Sequence, residues 1–202
     1  MGDPKKFKKK YQTQMHPWNK NAIETGKKLK QEYGLKNTKE ILIANSFLKK
    51  YKTIAKKLTA QKTAQKEIEK AQVIGKLSKL GLLPAGSELH HILTLQISDI
   101  LERRLQSIVC RKGLSRSMKQ ARQFINHRHV VIGEAQRTSP SYLVSLEEEG
   151  KITFKARSTL ASEDHPERVR ETKVESIEEA AKAPMTEKTM KLEPVTSGEN
   201  NQ

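Results

Sequence analysis

The stretch Asp99 to Val144, DILERRLQSIVCRKGLSRSMKQARQFINHRHVVIGEAQRTSPSYLV, decides how the rest of the chain is read. Its first half spells two short amphipathic helices joined by Arg111-Lys112-Gly113-Leu114. Asp99 and Glu102 stand at capping-box spacing, so Ser98 or Asp99 is expected to start the first helix. Leu101, Leu105 and Ile108 follow in helical steps and form its buried stripe. Arg103, Arg104 and Arg111 fall beside that stripe, and Gly113 is a helix stop. Ser115 is expected to cap the second helix. Met118, Ala121 and Ile125 share one of its faces; Arg116, Lys119, Arg122, Gln123 and Asn126 share the other. Two such helices, packed stripe to stripe, would turn their cationic faces outward. Glu102 is the one acid between Asp99 and Gly133, so these faces are almost purely positive. An ordinary solvated face mixes signs; this one suits a phosphate backbone, charged at every nucleotide.

After the second helix come His127-Arg128-His129 and the short strand Val130-Val131-Ile132. Gly133-Glu134-Ala135-Gln136 reads as a turn. Pro140 cannot sit in a central ladder, so it marks an edge or the start of a second strand, Tyr142-Leu143-Val144. Lys151-Ile152-Thr153-Phe154-Lys155 alternates strictly and makes a third.

The 202 residues can hold one or two small domains. With 39 Lys+Arg against 23 Asp+Glu the formal charge is +16, which points to a polyanionic partner. Only 35% of residues are hydrophobic and 4% aromatic, so the core is modest and long stretches depend on a partner for order. No run approaches the ~20 apolar residues a spanning helix needs, and no segment has signal-peptide anatomy, so the expected location is the cytoplasm. Cys110 is the single cysteine, which excludes an internal disulfide and a cysteine-based zinc site; it reads as a small core filler.

Residues 1–20 are a basic arm interrupted by Pro4 and Pro17, of the kind that orders on binding. Phe7, Tyr11 and Trp18 lie among its lysines, where aromatic rings can stack on unpaired bases. Trp18 is expected instead to anchor the arm on the domain. A helix is expected over 21–33, ended by Gly34, and another from Lys39 to about Leu58, capped by Asn37 or Thr38. Ile43, Phe47, Tyr51, Ile54 and Leu58 are its expected apolar side. Lys49, Lys50, Lys52, Lys56 and Lys57 gather toward its end, where the helix dipole favours cations and where they could line an RNA groove. Residues 61–70 are polar and helix-compatible; 71–83 supply Val73, Ile74, Leu77 and Leu80 to a buried helix, stopped by Gly81 and Pro84-Ala85-Gly86. His90 and His91 point apart and lack a third ligand, so they read as surface or packing residues. Residues 163–202 carry ten acids and six bases, leaving +20 on the rest. With Pro184 and Pro194 they read as a disordered extension; repelling misplaced RNA or weakly covering the basic face before assembly are the alternative roles.

The segment SRSMKQARQFINHRHVVIG (Ser115 to Gly133), followed by TSPSYLV (Thr138 to Val144), resembles the small RNA-binding module named after ribosomal small-subunit protein S-four. The module also occurs in some tRNA synthetases, pseudouridine synthases and heat-shock proteins, so the flanks decide. HPW (His16 to Trp18), EYGLKNTKE (Glu32 to Glu40) and IGKLSKLGLL (Ile74 to Leu83) resemble the archaeal and eukaryotic branch of the ribosomal S-four family itself. GDPKKFKKKY (Gly2 to Tyr11) and LASEDHPERV (Leu160 to Val169) resemble its archaeal members. The likeness covers about residues 1–170. Two features depart from the family: no cysteines stand where bacterial members often hold zinc, and Arg128 stands where many members have glycine.

The resemblance implies an α+β fold: a mostly helical N-terminal region packed on a small RNA-binding module of two helices and a short antiparallel sheet, with a basic N-terminal arm and a disordered C-terminal tail. The expected divisions are 1–20, 21–97, 98–160 and 161–202. It implies a structural protein of the small ribosomal subunit that binds a helical junction in the 5′ domain of its rRNA early in assembly. It also implies packing against ribosomal protein S-five at an interface linked to decoding accuracy. No cofactor, metal, membrane or small-molecule substrate is expected. The residues expected to bind RNA are Arg103, Arg104, Arg111, Lys112, Ser115, Arg116, Lys119, Arg122, Gln123, Arg128 and His129, with Lys49, Lys50, Lys56 and Lys57 beside them. Charge reversal at Arg116 and Arg122 together is expected to weaken rRNA binding by several kcal/mol and spare the fold. The alternatives are a transient ribosome- or RNA-associated factor and an RNA-modifying enzyme carrying the same module. The enzyme needs a catalytic domain, and only Asp164-His165 offers an acid/base pair, in the polar region after the module.

Overall fold

The computed structural model describes residues 2, 9, 11–60, 65–84, 86–162 and 165–167. The expectations for Pro4 and Phe7, for 61–64, for Asp164 and for the tail from 168 onward lie outside the described residues. The chain runs α1 (Lys20–Glu32), α2 (Thr38–Ala60), α3 (Gln65–Lys79), α4 (Leu89–Thr94), α5 (Ile97–Glu102), α6 (Leu105–Arg111) and α7 (Met118–Asn126). Then come β1 (Val130–Ile132), β2 (Ala135–Gln136), α8 (Leu146–Glu149), β3 (Ile152–Phe154) and a 3-10 turn at Thr159–Ala161. This is the expected α+β architecture. Among the described residues, no helix is long and apolar enough to cross a membrane.

Asn19 starts α1, its side-chain oxygen accepting from Asn21 N at 3.1 Å. Four helices then end in the same way: Leu35 N donates to Lys30 O, Leu82 N to Leu77 O, Leu114 N to Val109 O and His129 N to Phe124 O. These are the six-to-one bonds of a Schellman ending, which needs a left-handed residue just past the cap. Gly34, Gly81 and Gly113 supply it for α1, α3 and α6. Arg128 supplies it for α7 at φ +65°, the one non-glycine with positive φ among the described residues. An L side chain there costs about 1–2 kcal/mol that glycine would not. The backbone thus keeps the turn a glycine would make, and adds an exposed cation at its corner.

The apolar stripe of α2 is rotated from the expected one. Ile41, Ala44, Leu48, Tyr51, Ala55 and Leu58 are buried, Phe47 and Ile54 are half-buried and Ile43 is exposed. The small Ala44 and Ala55 let neighbouring chain approach on that side, a preference that large-residue periodicity does not register. In α3 only Leu77 is fully buried; Val73 packs against the same core from its edge. Tyr33, Leu35, the α2 face, Leu77, Leu83, Ile92, Leu95, Ile100 and Leu101 form one apolar core. Leu105, Ile108 and Val109 of α6, Ala121, Phe124 and Ile125 of α7, and Val130, Ile132, Val144, Ile152 and Leu160 form a second. Cys110 packs half-buried against the second core.

Four local expectations are corrected. The first helix breaks into α5 and α6 between Glu102 and Leu105. Carbonyls from the 140–144 segment make a second helix start possible: Tyr142 O accepts from Leu105 N at 2.8 Å and Pro140 O from Gln106 N at 3.4 Å. They occupy N–H groups that a helix start otherwise leaves unpaired. For the same reason Tyr142 to Val144 is no sheet strand; Leu143 bridges Arg104, and Val144 N donates to Arg103 O at 3.0 Å. At the entry of α5, Gln96 is the cap and Asp99 the third residue in, its carboxylate accepting from Gln96 N at 2.8 Å. At α7 the cap is Ser117, whose Oγ accepts from Gln120 N at 3.2 Å, while Gln120 Oε1 accepts from Arg116 N at 2.7 Å.

The sheet is β2-β1-β3, antiparallel throughout. Ala135 and Gln136, expected in a turn, pair with Ile132 and Val131, which shortens the turn to Gly133-Glu134. The tight loop takes Gly133 at φ +58° in its first position. Val130 and Ile132 point into the second core and β3 pairs across them at Phe154 and Ile152. Lys155 N donates to His129 O at 2.8 Å, tying β3 to the end of α7.

Candidate nucleic-acid interface

The helix pair α6–α7 turns Ala121, Phe124 and Ile125 inward, with Met118 half-buried. Lys119, Gln123 and Asn126 are exposed on the opposite face, and His127 and Arg128 continue it past the cap. Arg116, also exposed, stands just ahead of α7 and donates to Pro166 O. Gln120 donates to the Glu167 carboxylate at 2.8 Å, so residues 166 and 167 lie against the helix start. Arg111 and Lys112 are exposed at the end of α6, held near Glu149: Arg111 Nη2 lies 3.8 Å from its carboxylate and Lys112 Nζ donates to its carbonyl. His129 is half-buried with Nδ1 2.8 Å from Ser158 Oγ. Its ring meets Phe124 edge-on at 6.2 Å, which leaves little of it to face a ligand.

The other expected contacts do not face outward. Arg103 and Arg104 are buried. Arg103 Nη1 donates to Glu149 Oε2 at 2.7 Å and Nη2 to Val144 O at 3.1 Å. Arg104 Nη2 donates to Glu40 Oε2 at 2.7 Å and to Ser141 Oγ at 2.8 Å. Ser115 is buried, with Oγ donating to Ser117 O at 3.3 Å. Arg122 is half-buried and clamps Glu40 with both nitrogens, at 2.6 and 3.1 Å. The expectation of an outward cationic face is therefore corrected for Arg103, Arg104 and Ser115, and Arg122 presents only its edge.

Glu40 of α2 is the centre of this arrangement. Its side chain is 12% exposed, between Arg104 at 5% and Arg122 at 20%. Burial pushes its carboxyl up, but the hydrogen bonds and charges of Arg122 and Arg104 outweigh that and hold it below the usual carboxylate range. Gln106, buried beside it, donates to Tyr33 O at 3.1 Å and Met118 O at 2.8 Å, and accepts from Arg122 at 3.4 Å. Tyr33 in turn donates to Glu102 Oε1 at 3.4 Å; burial, then the carboxylates of Glu32 and Glu102, push its phenol up to about 12. These buried polar links fix the orientation of α1 and α2 against the α6–α7 pair. Nothing local in the sequence marks Glu40 and Glu149 as the partners of arginines 64 and 46 residues away.

A second cationic surface lies on α2. Lys49, Lys50, Lys56 and Lys57 are all exposed, and Lys49, Lys50 and Lys57 line a shallow groove with Lys9, Tyr11, Gln12 and Ser46. Gln12 N donates to Ser46 Oγ at 2.8 Å, and Lys39 Nζ lies 5.6 Å from the Tyr11 ring centre. His90 and His91 stack at 4.0 Å, with His91 Nδ1 accepting from Glu88 N at the start of α4. Among the described residues, no three His, Cys, Asp or Glu side chains gather as a metal site.

The S4 domain family matches residues 103–149, which run from the buried arginine pair to the end of α8. The chain is 44% identical over 176 residues to the small ribosomal subunit protein uS4 of Nanoarchaeum equitans (strain Kin4-M), covering 86% of this chain and 98% of that protein. It is 44% identical over 169 residues to the protein of that name from Methanococcus maripaludis (strain C5), covering 83% of this chain and 95% of that protein. The resemblance to archaeal members of the ribosomal S-four family is borne out over most of the chain. The chain belongs to the small ribosomal subunit protein uS4 family.

Proposed function

We propose that this protein is a structural, non-catalytic component of the small ribosomal subunit that binds its rRNA through two cationic surfaces. The observation that carries the reading is the exposed run Arg116, Lys119, Gln123 and Arg128 along one side of the S4 domain, in a chain of the uS4 family. Lysines and arginines there would neutralise phosphates and release counterions. Guanidinium groups would fork onto phosphate oxygens where the backbone turns sharply. Selectivity would come from shape, because two surfaces held in fixed orientation by the Glu40 cluster match a bent junction better than a straight duplex. Lys49, Lys50, Lys56 and Lys57 would take the second arm of that junction, and Arg111 and Lys112 the rim of the first. The buried Arg103 and Arg104 then serve the scaffold, and Arg122 serves both.

The finer reading follows the family resemblance: a junction in the 5′ domain, binding early in assembly, and a boundary with ribosomal protein S-five. Residues 98–160 would form the RNA-binding module, 21–97 its helical partner, and 1–20 and 161–202 the extensions. The competing reading is a factor that visits the ribosome transiently. Sedimentation of small subunits through a gradient at high salt separates the two. An integral protein stays with the particle at one copy each; its quantitative release into the supernatant would contradict this reading.

A further inference from the structure

Trp18 does not anchor the arm. It is 90% exposed, and the pinning falls to Gln12 and Tyr11, which meet Ser46 and Lys39 of α2. A large apolar ring left in water needs a reason, since burying it would be worth several kcal/mol. Its mounting is not that of a loose tail. His16-Pro17-Trp18-Asn19 is a turn closed by Asn19 N donating to His16 O at 3.4 Å, with Pro17 in the position that its fixed φ suits. Asn19 is also the cap of α1, bonded to Asn21 N and accepting from Ile23 N at 3.0 Å. The ring thus sits at the apex of a turn locked on one side by a proline and on the other by a helix start.

Its surroundings select the occupant. Between Asp3 and Glu24 there are six lysines and no acid. Trp18 lies at most about 21 Å along the chain from Gln12, which lines the lysine groove of α2 with Lys9, Lys49, Lys50 and Lys57. A cationic groove that tracks a backbone, followed by an exposed aromatic face, is the arrangement that holds unpaired nucleotides. A paired duplex keeps its bases stacked inside and offers the ring no face. We propose that Trp18 is a stacking platform for an unpaired base of the bound RNA, with the α2 groove holding the phosphates of the adjoining strand. The proposal rests on the reading that the chain binds RNA and adds where, and in which state, one nucleotide is held.

Trp18 is the only tryptophan, so its fluorescence reports on this site alone. The full chain would be titrated with a mixed-sequence RNA of about twelve nucleotides, a length within the range such sites take. The same strand annealed to its complement, and an abasic strand of equal length, would be the comparisons. The single strand is expected to quench Trp18 strongly, and the duplex and abasic strand to leave it nearly unchanged. Trp18→Leu, apolar but without a ring, should bind the single strand at least about tenfold more weakly, with duplex affinity preserved. Trp18→Phe should keep most of the affinity. Normal single-strand binding with an unquenched Trp18, or equal affinity in Trp18→Leu, overturns the platform and leaves the RNA-binding reading standing. Failure of every RNA to bind overturns both.

Discussion

Glu40→Ala is expected to cost about 3–5 kcal/mol of folding free energy, because it leaves the buried Arg104 and the half-buried Arg122 without their carboxylate. Arg104 is the more severe case. It is 5% exposed, and its Nε is buried with no partner among the described residues. Without Glu40 its charge keeps only the Ser141 hydroxyl. Glu40→Gln keeps the shape and part of the hydrogen bonding, so a smaller loss is expected. Arg104→Ala should cost less than Glu40→Ala, since Glu40 retains Arg122. The ordering of the three variants by urea or thermal unfolding is the check; a Glu40→Ala protein as stable as wild type contradicts the cluster. The same carboxyl sets an acid limit. Its folded value lies below the unfolded carboxylate value of about 4.3, so its contribution is fully present above that pH and is lost as pH falls through the folded value. Glu40→Gln should flatten that part of the stability profile below about pH 4.

The second large effect concerns RNA. Reversing the three exposed cations, Arg116→Glu with Lys119→Glu and Arg128→Glu, is expected to lower affinity for small-subunit rRNA by at least about 100-fold near 0.15 M salt. It should also reduce the slope of log affinity against log salt by about three. Unfolding and circular dichroism should match wild type, because none of the three side chains enters a core. This replaces the pairing expected from sequence, Arg116 with Arg122. Arg122→Glu would set a carboxylate against Glu40, 2.6 Å from where its guanidinium now sits, and is expected to damage the fold. A protein bearing Arg122→Glu alone thus separates the two roles: it should lose stability, where the triple variant loses binding.

Helix α7 and strands β1 and β3 were legible because their periodicity is local, whereas Tyr142 to Val144 bonds to Arg103 and Leu105 and joins no sheet. The kind of capping residue was also local, but Ser115 and Ser117 are both hydroxyls ahead of α7, and it is Ser117 whose Oγ accepts from Gln120 N, while Gln120 Oε1 turns back to Arg116 N. The break at Arg103-Arg104 was not legible. It depends on carbonyls from the 140–144 segment, which only tertiary folding brings to the start of α6. The burial of those arginines was hidden for the same reason, since their acids lie 64 and 46 residues away. Binary patterning treats every arginine as surface, whereas an arginine with a buried carboxylate partner packs as scaffold. Arg128, a departure from the family pattern in sequence, takes the left-handed conformation that glycine favours. Arg111, Lys112, Lys119 and Gln123 stand exposed where the helical faces put them. Trp18 stands where the composition of the arm allowed it but did not require it.

The central claim is that two cationic surfaces, fixed relative to each other, read the shape of a small-subunit rRNA junction. Its most direct test is a salt-dependent binding titration of the full chain against a 5′-domain junction and a plain duplex of equal length. The account predicts strong preference for the junction at physiological salt, a preference that persists as the shared electrostatic contribution is screened away. Equal affinity for the two RNAs, with the same steep salt slope, would show a generic polycation and contradict it.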